Sequence, residues 1–259
     1  MSRWLILYGE VLTVNSSDMI HQHAQTLLAN LALERKSEEV GEHPIIWVAH
    51  SLGGILVKRA LELSFDLQGN HDDDLRSIFV STFGVIFLGT PHTGADPAKW
   101  GLILQGMVNA MVPKKLFETH SQLVKTLQSN NEILQNINLR FLDLYPNRLR
   151  ICMVHEGHPT DLKGTKHLIV DQTAASPQLP DVQYFGIEAT HSGMCKFESK
   201  NAPGFTNVSV TLRSWVQECP EFIQTRWEAE RFLRKQKRED EIAQLQRMVS
   251  CLKAVMDTC

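Results

Sequence analysis

"WVAHSLGGILVKRAL", residues 47–61, decides how the rest of the chain is read. With "PII" before it, the first part is a nearly continuous apolar run. That is the pattern of a strand buried on both faces rather than the alternation of a half-exposed one. From Leu52 onward the apolar residues Ile55, Leu56, Ala60 and Leu61 recur at helical spacing. Ser51 stands at the joint between the two. A serine on a sharp strand-to-helix turn has its Oγ exposed above the sheet, and its bent backbone requires small neighbours. The stretch Ala49-His50-Ser51-Leu52-Gly53 follows the pattern G-x-S-x-G, with alanine for the first glycine and Gly54 beyond. The helix start supplies a positive dipole end, and the Leu52 N–H faces the place where an oxyanion would develop. Ser51 is therefore the candidate nucleophile and Leu52 the candidate oxyanion donor.

Further short apolar runs read as strands at residues 4–8, 84–89, 149–154 and 182–187. Helical patterns lie between them. One follows Ser16 or Ser17 as N-cap, with Ile20, Ala24, Leu27, Leu28 and Leu31 on one side. Others cover residues 97–112, opening at Pro97, and residues 119–144, and these two form an expected helical cap. Strands alternating with helices predict an α/β fold with a mostly parallel, doubly wound sheet. Residues 68–74 read as a surface loop and residues 155–181 as a long irregular one. After residues 203–205 ("PGF") a helix carrying Val208, Leu212 and Trp215 is expected to stop near Pro220. Beyond it the composition turns highly charged. Ile242, Leu245, Val249, Leu252 and Met256 then recur at spacings of three and four over about two heptads. The expected organisation is an α/β domain over residues 1–222 and a charged, heptad-like C-terminal helix over 223–259, offering self-association.

The 259 residues suffice for one large domain with a proper core. With 43% hydrophobic and 21% charged residues and a formal net charge of −3, nothing points to nucleic acid or an anionic membrane as partner. No apolar run is long enough to span a bilayer. The five cysteines form an odd set without close pairing, which fits reduced thiols and a cytoplasmic location. No zinc spacing is present, and neither a metal nor another cofactor is expected.

A nucleophilic serine needs a base and an orienting acid, expected in the order Ser, acid, His. Among the 11 histidines, His191 in "VQYFGIEATHSGMCKF" follows a late strand and precedes small residues. It is the candidate base. His50 reads as a packed neighbour whose side chain points away from Oγ, and His92 as a residue bordering the pocket. The acid has three candidates. Glu156 follows directly on the 149–154 strand, Asp171 lies later in the same loop, and Asp96 follows the preceding strand. Glu156 is preferred because strand ends hold such acids. His155, Glu156 and His158 do not have the H-E-x-x-H spacing of a metal helix.

Together "PIIWVAHSLGGILVKRAL", "GVIFLGTPHTGAD", "HEGHPT", "LIVDQTAAS" and "EATHSGMCKF" resemble the serine-active-site-containing, PGAP1-like α/β-hydrolases, closest to fungal SesB-like lipase or esterase domains. The resemblance covers roughly residues 3–217. It implies an α/β-hydrolase with Ser51 as nucleophile, His191 as base and Glu156 strengthened as the acid, acting on a small-molecule or lipid ester. Members of that family open with further strands and a loop resembling "HGLGG", which supplies a second oxyanion donor. The first 50 residues here contain no "HG" dipeptide, so the resemblance implies a chain lacking the first strands. Two outcomes are thus expected: an esterase impaired at its oxyanion hole, or an α/β-hydrolase fold kept for interaction.

Overall fold

The computed structural model describes residues 6–7, 19–67, 73–92, 102–103, 106–107, 131–162 and 164–256. Five parallel strands form the main sheet: β1 (Ile6–Leu7), β2 (Ile45–His50), β3 (Thr82–Leu88), β4 (Arg150–Glu156) and, after a small hairpin, β7 (Val182–Ile187). Their spatial order is β1-β2-β3-β4-β7, so each apolar run lies beside the next one along the chain. Parallel neighbours require crossovers, and helices supply them. These are α1 (Met19–Ser37), α2 (Leu52–Asp66), α3 (Asp73–Ser81) and α4 (Asn131–Leu144). The α/β architecture and its strands agree with the expectation from the apolar runs.

The pleat sorts the strand side chains into two cores. Trp47, Ala49, Val85, Phe87, Ile151 and Met153 face one way, against Ala24 and Leu28 of α1, Val57 and Leu61 of α2, and Phe141 of α4. Ile46, Ile86, Cys152 and Val154 face the other way. There Val208, Trp215, Cys219, Ile223 and Trp227 cover them, all from the C-terminal helix α6 (Phe205–Met256). A sheet covered on both faces is the reason its strands are not alternating in sequence.

Two expectations are corrected. α6 runs unbroken through Pro220. An internal proline costs a helix about 3 kcal/mol, but here the apolar face continues on both sides of it. Arg226, two turns on, adds hydrogen bonds to the carbonyls of Phe79, Val80, Thr82 and Arg148. Burial of Trp215, Ile223 and Trp227 outweighs the lost backbone bond. The second correction concerns residues 155–181, which are not wholly irregular. They contain an antiparallel hairpin, β5 (Thr160–Leu162) and β6 (Thr165–His167), and a short helix α5 (Gln172–Ala175). Three-residue strands are too short for a periodic signal.

Asp73 and Asp74, expected in the 68–74 loop, instead open α3. Ser16, Ser17, Asp96, residues 68–72, most of residues 97–112 and the part of the expected 119–144 helix before residue 131 lie outside the described residues. Among the described residues no helix is long and apolar enough to cross a membrane.

Candidate active site

β2 ends at His50 and α2 begins at Leu52, so Ser51 alone makes the turn. Its backbone has φ of 56° and ψ of −129°, a left-sided conformation that costs a residue with a side chain about 1–3 kcal/mol. Three hydrogen bonds hold it there. Ser51 N–H donates to the Leu88 carbonyl at 2.9 Å, while its own carbonyl accepts from Thr90 Oγ1 at 3.0 Å and Gly54 N–H at 3.1 Å. Gly54 is required at this point, because a Cβ there would stand 2.2 Å from Thr90 Oγ1. Ala49 is fully buried in the core beneath, where its methyl group fits. Leu52 N–H is the first of the helix donors that have no acceptor within their own helix.

His191 lies in the turn after β7, where Gly193 N–H and Met194 N–H both donate to the Thr190 carbonyl. Its Nε2 is 2.9 Å from Ser51 Oγ. Gly89, at φ 58°, backs the ring so closely that a Cβ would stand 3.0 Å from His191 Cε1. On the far side of the ring, His191 Nδ1 is 3.7 Å from Glu156 Oε1, where β4 ends. Glu156 Oε1 also accepts the Val170 N–H at 2.7 Å, which aims the carboxyl from a second element. That ion pair is longer than a hydrogen bond, and among the described residues neither His191 Nδ1 nor Glu156 Oε2 has a hydrogen-bond partner. Such contacts are often long in unliganded sites and tighten in the complex. Ser51 and His191 are 0% exposed and Glu156 2%, so charge forming among them is weakly screened.

Asp171 serves differently. Its Oδ1 caps α5, accepting from Ala174 N–H at 2.9 Å and Thr173 Oγ1 at 2.5 Å. The structure therefore brings Ser51, His191 and Glu156 together, and places Asp171 at a helix start. His155 and His158 also diverge, the first towards Ser176 Oγ and the second to Glu188 at 2.9 Å. An apolar cluster adjoins the elbow helix: Leu52, Ile55, Ile103, Met107, Ile137 and Ile169 are among its members.

His92 is buried, and its Nδ1 lies 2.8 Å from Lys58 Nζ, which in turn donates to Asn138 Oδ1 at 2.5 Å. This cluster, which joins α2, the loop after β3 and α4, was not expected. The signal for it was present: Lys58 stands at i+3 from Ile55 and i−3 from Leu61, on the inner face of the helix. Burial pushes the Lys58 ammonium down to about 7, with the Glu62 carboxylate one turn on opposing it. Burial, and then Lys58 itself, hold His92 well below the usual histidine range, so His92 is neutral.

Lys58→Met is expected to destabilise the fold by about 2–5 kcal/mol, since two buried acceptors lose their donor. Adding Asn138→Leu should cost less than the two single changes summed, by about 1 kcal/mol or more. Urea unfolding of the four proteins in the cycle checks both statements.

No family model matches the chain. It is similar to Protein SERAC1 of Danio rerio, with 30% identity over 180 residues, which is 69% of this chain and 24% of that protein. SERAC1 of Bos taurus is 27% identical and that of Homo sapiens 26%, each over 165 residues, 63% of this chain and 23% of theirs. The chain thus spans about a quarter of the length of the curated relatives it matches. The relatives found are SERAC1 proteins, and a SesB-like or fungal assignment draws no support from them.

Proposed function

We propose that the chain is a serine hydrolase of the α/β-hydrolase type that cleaves a carboxylic ester. The observation that carries this reading is Ser51 Oγ held 2.9 Å from His191 Nε2 on a strained strand-to-helix turn. Oγ attacks the ester carbonyl carbon while its proton passes to His191 Nε2. Glu156 keeps the other ring nitrogen protonated and stabilises the imidazolium. The negative charge that develops on the carbonyl oxygen is met by Leu52 N–H at the start of α2. Collapse of the tetrahedral adduct breaks the C–O bond, the alcohol leaves with the Nε2 proton, and water releases the acid from the acyl-enzyme. The apolar cluster beside Leu52 and Ile55 supports an apolar acyl group. Similarity to SERAC1 over more than half of the chain is compatible with a hydrolase-type domain.

A fluorophosphonate probe tests the proposal. The folded chain should take up one adduct, and peptide mapping should find it on Ser51. A folded sample that stays unlabelled would overturn the reading.

A second reading, an interaction domain that keeps the fold, is favoured by the outer part of α6. Ile242, Leu245 and Val249 are 54%, 60% and 50% exposed there at heptad spacing. Deleting residues 235–259, beyond the buried Trp227, is expected to reduce the mass measured by light scattering to that of a monomer. A full chain that is already monomeric would refute self-association through this helix.

A further inference from the structure

The pleat of β2 turns His50 to the same side as Ile46 and Val48, away from α2 and towards the turn that carries His191. There its Nε2 is 2.8 Å from the backbone carbonyl of His191. A carbonyl can only accept, so His50 Nε2 bears the hydrogen and donates it. The two imidazole rings lie 4.9 Å apart at 42°. The residue before the nucleophile is thereby bonded to the main chain of the candidate base, 141 positions along the sequence.

We propose that His50 is a positioning residue: its Nε2–H donation fixes the His191 backbone so that His191 Nε2 stays within proton-transfer reach of Ser51 Oγ. The inference rests on the serine-hydrolase reading above. Two observations make the contact more than packing. First, among the described residues the His191 turn is otherwise held by its own local bonds to Thr190, by the His158 N–H on the Ala189 carbonyl and by Met194 in the core beneath. The His50 bond ties the main chain of the turn to the strand leading into Ser51, beside the reacting pair itself. Second, the ring has little room to rearrange, with Gly89 and Met194 crowded together behind it. A shift of the backbone carbonyl therefore moves the imidazole as a unit. Burial, and then the neighbouring His191, push His50 down to about 4, so it stays neutral and adds no charge against the imidazolium formed during attack.

The test compares three substitutions on the full chain. His50→Leu and His50→Phe remove the donor, and His50→Phe retains a ring. His50→Gln removes the ring but can present an N–H at a similar reach. The readouts are the rate of fluorophosphonate labelling, kcat and KM for a short p-nitrophenyl ester, and thermal unfolding. The donor-free variants are expected to label roughly 10- to 100-fold more slowly, with kcat reduced and KM little changed. His50→Gln is expected to recover most of the rate. Should His50→Leu fail to fold, the comparison of Phe with Gln carries the test. Labelling of His50→Phe at the wild-type rate would overturn the inference, and so would a His50→Gln variant as slow as His50→Phe. Both results require a labelled wild-type chain, whereas a folded wild type that takes no label brings down the underlying reading as well.

Discussion

Ser51→Ala is expected to abolish fluorophosphonate labelling and to lower ester turnover by on the order of 10⁶-fold, the size of loss reached when the nucleophile of such a triad is removed. In the proposed reaction the substitution deletes the atom that forms the covalent bond to the acyl group. Fold loss is not the cause. Ser51 holds its turn through backbone groups, N–H to Leu88 and carbonyl from Thr90 and Gly54, which alanine retains. A companion change separates strain from chemistry. Glycine adopts φ of 56° without a Cβ penalty, so Ser51→Gly should be about 1 kcal/mol more stable than Ser51→Ala and equally inactive. Urea midpoints and product release from a p-nitrophenyl ester check the pair. Residual turnover in Ser51→Ala near the wild-type rate would sink the assignment.

The second large effect concerns the acid. Glu156→Gln is expected to reduce turnover by about 10⁴-fold, because a neutral amide neither orients the imidazole tautomer nor stabilises the imidazolium. The carboxyl is buried beside His191 Nδ1 at 3.7 Å, so little solvent can substitute for its charge. Asp171→Asn is expected to leave turnover within a small factor of wild type. Its effect falls on α5 and is small there, because asparagine caps a helix about as well as aspartate. Steady-state kinetics on the two variants decide between the candidates. A greater kinetic loss in Asp171→Asn would reverse the roles.

The chain announces much of this through local chemistry. A strand that must be buried on both faces has to be apolar throughout, so β2, β3 and β4 are legible one at a time. The elbow is legible for the same reason. Small residues are needed at the joint itself, and Ala49, Gly53 and Gly54 adjoin Ser51 in the sequence. Ser51, Glu156 and His191 each stand at or just after a strand end, and every strand of a parallel sheet points its C-terminal end at the same edge.

Tertiary structure alone decided what depends on distance between remote segments. Glu156 closes β4 and Asp171 comes 15 positions later, in the connection that follows. Only the fold turns one towards His191 and sets the other to cap α5. Pro220 reads as a stop until the packing of Trp215, Ile223 and Trp227 is known, since burial on both sides of it exceeds the cost of one lost backbone bond. Lys58 looks like a surface residue of a helix by type, but α4 and the loop after β3 close over it. His50 gains its partner from the far end of the chain. Periodicity records which side of an element is buried, whereas the identity of what buries it is written in the packing.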